Sequence, residues 1–293
     1  MYRIIQIVIL CLWMASSLGC ARRAGLPDKP IVTVSIAPQA YIVERIAGNT
    51  VHVETLLPAG VPAEAFDPTP SQLQTLARTS IYVRIYVPFE TANWTKIHAV
   101  QPEMTVVNGR DGMRLRTMEA HGDDHQDDGK GNNADPHVWL SIDNAKTLAQ
   151  HVADVLTAAY PDNSELYASN LASLMNDFAS LSSDLRSLFG DNAGGTFWVF
   201  HPAWGYLADD FGITQRAIEV EGKAPGARAL VALENELKNS GVHTIFIDPN
   251  HDTAQPEIIA RDINAKTAPL DPLEKDLIAN LRRTASAIHE ALQ

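Results

Sequence analysis

The sequence predicts an α/β protein: two α/β lobes with mostly parallel sheets, joined by one long backbone helix. Three observations carry this. Short β-branched runs alternate with amphipathic helical runs in both halves of the chain, the pattern of a parallel sheet. One apolar stripe at helical spacing (Leu166, Leu171, Leu174, Phe178, Leu181, Leu185 and Leu188) runs without a break between the halves. No short-period repeat competes with that reading.

In chain order, Ile31–Ile36 reads as a strand, broken at Ala37-Pro38, and Tyr41–Ile46 as a helix ending near Gly48. Val51–Leu57 is a second strand. Pro58–Pro70 is a proline-dense loop, Ser71–Ala77 a helix, and Ile81–Val87 a third strand. The stretch 119–134 (EAHGDDHQDDGKGNNA) has no apolar periodicity and reads as a surface loop. Asn144–Tyr160 is helical, and Pro161 to Ser164 breaks it. The long helix then runs to about Phe189, which at 1.5 Å per residue spans about 35–40 Å. Beyond Gly190–Gly195, the expected elements are a strand at Thr196–Phe200, a helix at Ala229–Asn239 and a strand at Thr244–Ile247. Helices at Ile258–Ile263 and Asp276–Leu292 complete the set. The domain reading is 31–160 for the first lobe, 161–190 for the linking helix and 191–293 for the second lobe.

The N-terminus is read separately. Met1-Tyr2-Arg3 is basic, Ile4–Ala15 is apolar apart from Gln6, and small residues lead to Cys20. This is expected to be a secretory signal peptide over 1–19, followed by a lipidated tether over 20–30. The segment before Cys20 resembles a bacterial lipobox, although Leu18 stands one place nearer the cysteine than usual. The chain has two cysteines, Cys11 and Cys20. Cleavage removes the first and lipidation uses the second. No thiol is then left for a disulfide or a thiolate metal site. A metal site must therefore come from His, Asp and Glu.

The chain has 293 residues and a formal net charge of −12. Such a surface repels phosphate backbones, so no nucleic-acid partner is expected, and it weakly concentrates cations. Three segments hold candidate chemistry: Pro62–Pro70, Asp135–Leu140 and His201–Tyr206. Glu64 and His201 fall beyond strand ends, where ligands gather in α/β lobes. His137 sits between the acidic loop and a helix start. His121 and His125 lie four residues apart among aspartates, read either as a solvated loop or as an accessory, labile metal-gathering arm. Asp248, after the strand at Ile245-Phe246-Ile247, is a competing carboxylate. His52, His98, His151, His243, His251 and His289 lack a supporting frame and read as surface or core.

Seven segments in order, "SIAPQAYIVERIAG", "LLPAGVPAEAFDPTPSQL", "VPFETANW", "DPHVWLSIDNAK", "HPAWGYLADDFGI", "EGKAPG" and "APLDPL", resemble the periplasmic or surface solute-binding proteins of zinc and manganese ABC transporters. The resemblance covers Ile31 to the C-terminus. It implies four metal ligands: Glu64, His137, His201 and Asp271. Glu64 stands where that family usually has a histidine. Asp271 has a second reading as a turn holder through Pro272.

Two imidazoles and two carboxylates suit a first-row divalent ion in the cleft between the lobes. Zn(II) is the expected cargo, with Mn(II) or Fe(II) as the alternative because carboxylates suit them. The resemblance further implies an ABC-transporter membrane permease as partner, a monomer, and an extracytoplasmic location with a lipid anchor in the membrane. A zinc-dependent hydrolase is the enzymatic rival, but the chain has no HExxH motif; an adhesin role could coexist with metal capture.

Overall fold

A computed structural model describes residues 29–118, 134–192, 194–219 and 227–293. The first lobe contains β1 (Ile31–Val34), α1 (Ala37–Ala47), β2 (His52–Thr55), α2 (Pro70–Leu76), β3 (Thr79–Arg84), α3 (Pro88–Val100) and β4 (Thr105–Asn108). A single 3-10 turn at Val138–Leu140 leads into α4 (Ile142–Ala159), and α5 (Ser164–Phe189) is the long helix. The second lobe contains β5 (Thr196–Val199), α6 (Gly205–Phe211), β6 (Thr214–Ala217), α7 (Ala227–Asn239), β7 (Thr244–Ile247), α8 (Ala254–Asp262), β8 (Lys266–Pro269) and α9 (Leu277–Ala291).

The two sheets share one plan. Strand order is β2-β1-β3-β4 in the first and β6-β5-β7-β8 in the second, with every pairing parallel. The central strands read as strands in the sequence because helices cover both faces, making IVTV and TIFI almost wholly apolar. Three strands that the sequence reading passes over, β4 (TVVN), β6 (TQRA) and β8 (KTAP), are all sheet edges. Edge strands carry polar residues and proline, which removes the apolar signature. Helix α3 was also passed over. It buries only Phe89, Glu90 and Ile97, too few to draw a stripe.

Helix α5 has 26 residues, which at about 1.5 Å each gives roughly 39 Å. It packs against α1, α4 and α9. Ion pairs Arg45–Asp177 (2.6 Å) and Arg282–Asp184 (2.7 Å) fasten it to α1 and α9. One apolar core runs through both lobes, from Val34 and Trp139 to Phe246, Leu270 and Leu281. A second, smaller core of Trp198, Ile218, Leu237, Ile245 and Ile259 lies within the second lobe. A shared, close-packed core resists wide hinge opening.

Polar contacts fasten the lobes where the site lies. Arg114 pairs with Asp210 (2.6 Å), and Arg116 with Asp209 (3.1 Å) at the end of α6. The Tyr206 hydroxyl donates to the Asp135 carbonyl at 3.1 Å. Trp139 Nε1 donates to the Pro272 carbonyl at 2.8 Å, joining the His137 segment to the Asp271 segment.

Candidate metal centre

Glu64 is carried by the proline-rich loop between β2 and α2. That loop is fixed at its far end by a capping box, in which Thr69 and Gln72 satisfy each other's backbone N–H groups. The Gln72 side chain also donates to the Leu56 carbonyl at 2.6 Å, closing the base of the loop. Phe66 packs edge-on against Phe89 at 4.9 Å. Beside the loop, Val87-Pro88 line the site. They follow Tyr86, which has φ +62°, a costly conformation for a non-glycine residue. Buried Glu90 accepts from the Ile85 and Tyr86 N–H groups and the Ser35 hydroxyl, and that network holds the turn. Burial pushes the Glu90 carboxyl up against those hydrogen bonds.

His137 is oriented by Asp135, which is fully buried. Asp135 Oδ1 accepts from the His137 backbone N–H at 3.0 Å and sits 2.8 Å from its Nδ1. The other oxygen accepts from Arg116 at 2.9 Å. Burial opposes ionisation of Asp135, yet the His137 and Arg116 bonds hold its carboxyl below the usual range. His201, just beyond β5, has the same device: Glu219 Oε2, buried after β6, lies 3.3 Å from its Nδ1. A carboxylate at Nδ1 accepts a hydrogen bond from the ring N–H there, which leaves the lone pair on Nε2.

Those two Nε2 atoms lie 3.4 Å apart. Glu64 Oε1 is 3.9 Å from His201 Nε2. Glu64, His137 and His201 each offer a ligand atom, all within 4.8 Å of one another. Ligand bonds of about 2.0–2.1 Å in tetrahedral geometry put ligand atoms about 3.3–3.4 Å apart. The donor set therefore fits a small divalent cation, and two converging imidazole lone pairs call for a positive charge between them.

Asp271 follows β8 but is not one of this trio. Its Oδ1 accepts from Asn250 Nδ2 (2.7 Å) and the Leu273 N–H (2.8 Å). It lines a neighbouring cavity of about 240 Å³ with Pro58 and Lys275. Burial raises its carboxyl above the usual range. The small cavity at the trio is lined instead by Asp248 and His251, from the loop after β7. His251 Nε2 is 3.3 Å from Glu64 Oε2, its Nδ1 is 3.0 Å from Asp248 Oδ2, and its ring stacks on His201 at 4.6 Å. Hydrogen bonds to Asp248 and then Glu64 raise the His251 imidazole to about 10. Burial alone would raise the Glu64 carboxyl, but the His251 bond and the nearby His201 hold it at about 2.

Sequence reading missed His251. The available signal was Asp248-x-x-His251 directly after an apolar strand, a spacing that lets a carboxylate hold a ring within one loop. Cys20, His121, His125 and the EGKAPG segment lie outside the described residues.

The paired sheets, the bridging helix and the imidazole–carboxylate cluster make a two-lobed α/β protein with a candidate metal centre. Residues 32–291 match the family described as zinc-uptake complex component A, periplasmic (ZnuA), and the chain belongs to that family. It is 34% identical to a crystal structure of ZnuA, with TM-score 0.84, covering 91% of this chain and 100% of that one. It is 33% identical to a ZnuA deletion mutant with zinc bound, with TM-score 0.83, covering 91% and 99%. It is 26% identical to the zinc-binding lipoprotein AdcA of Streptococcus pneumoniae strain R6 over 92% of this chain, and spans 55% of that relative's length.

Proposed function

We propose that this protein captures Zn(II) between its lobes and delivers it to the membrane permease of an ABC importer. Glu64, His137 and His201 hold the ion. The observation that carries this reading is the pair of buried Nε2 atoms 3.4 Å apart, each ring backed by a carboxylate. Neutral imidazole favours zinc over manganese, and the backing carboxylates raise its basicity. Membership of the zinc-uptake family supports the same cargo.

In this reading residues 31–160 and 191–293 act as lobes on either side of the helix at 161–190, and Cys20 anchors an extracytoplasmic monomer. The shared core keeps the lobes nearly fixed, so loading orders the loops around Glu64 and His251 instead of closing a wide cleft. The permease reads the loop surface that loading produces.

Calorimetric titration of chelator-stripped protein with Zn(II), Mn(II) and Fe(II) tests this. A single site with zinc tightest is expected, with loss of at least about 100-fold in affinity for His137→Ala or His201→Ala. Unchanged zinc affinity in both variants would overturn the assignment.

A further inference from the structure

We propose that His251 is the fourth ligand of this centre, with Asp248 as its orienting carboxylate, so that three imidazoles and Glu64 hold the ion. This rests on the metal-capture reading above.

Three observations lead there. The first is geometric. His137 Nε2 and His201 Nε2 are 3.4 Å apart, and Glu64 Oε2 and His251 Nε2 are 3.3 Å apart. Both match the edge of about 3.3–3.4 Å that zinc bonds of about 2.0–2.1 Å impose on a tetrahedron. These two edges share no atom and name four donors; the trio already lies within 4.8 Å, and His251, held at its edge through Glu64, closes in when the ion binds. An ion placed among them takes the place of the hydrogen that joins His251 to Glu64.

The second is the repeated support. His137 has Asp135 at its Nδ1 (2.8 Å), His201 has Glu219 (3.3 Å), and His251 has Asp248 (3.0 Å). A carboxylate on the far nitrogen is how a metal-binding imidazole is held in tautomer and direction. Asp248 is itself buried, and its other oxygen accepts from the Asn250 backbone and side chain, both at 2.8 Å. Asp248 therefore directs His251 Nε2 toward Glu64.

The third concerns the rival. Asp271 Oδ1 is committed to Asn250 and Leu273, and the residue lines the next cavity. The two amide hydrogens of Asn250 reach Asp248 and Asp271. Asp271 thus steadies the loop that carries His251.

The test is zinc K-edge X-ray absorption combined with chelator-competition titration on the full chain, its His251→Gln and Asp271→Asn variants, and Asp248→Asn. Three imidazoles are expected in the wild-type zinc shell and two in His251→Gln, whose affinity falls at least about 100-fold. Asp271→Asn should keep three imidazoles and lose less than about tenfold, and Asp248→Asn should keep three and lose about 10–100-fold. A wild-type shell with two imidazoles overturns the proposal whether or not any variant folds. So does His251→Gln with wild-type affinity. Absence of specific zinc binding in the wild type would instead bring down the capture reading itself.

Discussion

Gly205→Ala tests how the first lobe aims His137 from the other side of the interface. A Cβ at Gly205 would lie 1.7 Å from Arg116 Nη1 and 2.3 Å from its Cζ. The guanidinium ends a flexible side chain, so the overlap itself is cheaply relieved by displacement. What displacement removes is the expensive part. Arg116 pairs with Asp135 at 2.9 Å and Asp209 at 3.1 Å, and Asp135 is fully buried. Removing the partner of a buried charge costs about 3–5 kcal/mol. A displaced arginine retains some of the attraction and Asp135 keeps its His137 bonds, so about 2–3 kcal/mol is expected. For a chain of this size that lowers Tm by about 5–10 °C at roughly 2–4 °C per kcal/mol. With His137 as a proposed ligand, loosening its partner should also weaken zinc binding by about 10–100-fold. Gly190→Ala, where a Cβ meets nothing within 4 Å, is the control. Differential scanning calorimetry and zinc titration read both effects. Gly205→Ala melting within about 1 °C of wild type, with unchanged affinity, would refute the claim that Arg116 holds Asp135 and through it His137.

Other outcomes follow from the same geometry. Glu64→His replaces the one carboxylate of the trio with an imidazole and should shift preference further toward zinc over manganese; parallel titrations with both ions check it, and an unchanged ratio would take Glu64 out of the site. Trp139→Phe removes the 2.8 Å bond to the Pro272 carbonyl across the lobes and should cost about 1–3 kcal/mol in urea unfolding, since that carbonyl loses its buried donor. The metal-free protein should show a pH dependence set by the Glu64–His251 pair. His251 rises to about 10, so its contribution is complete below the ordinary 6.5 and is lost as pH climbs through about 10. Glu64 falls to about 2, so its contribution is complete above the ordinary 4.5 and is lost as pH drops through about 2. Glu64 is 36% exposed, so solvent screens the pair and the effect should be modest. Thermal melts of His251→Gln against wild type across this range should converge at alkaline pH; a constant gap would contradict it.

The sequence made the repeated α/β plan readable wherever a segment is covered on both faces. Ile31–Val34, Thr244–Ile247 and the stripe of the long helix all fall in that group, because burial on two sides or along one stripe writes itself as apolar periodicity. Edges do not. Lys266–Pro269 and Thr214–Ala217 form strands only because a neighbour offers them a ladder. The site was legible in the same uneven way. His137 and His201 stood in recognisable segments, Glu64 was proposed by counting along its loop, and Asp271, proposed with them, lies beside the cluster they form. His251 was invisible because its significance is tertiary: a loop after β7 folds it onto His201 and against Glu64 from the other lobe. Neither contact leaves a trace in local spacing beyond the Asp248 three residues before it.

The most direct test is a crystal of the zinc-loaded protein measured on both sides of the zinc absorption edge. A single strong anomalous peak is expected between the lobes, about 2.0–2.2 Å from His137 Nε2, His201 Nε2 and a Glu64 oxygen. A peak elsewhere on the surface, or none at the trio at full loading, would contradict metal capture by these residues.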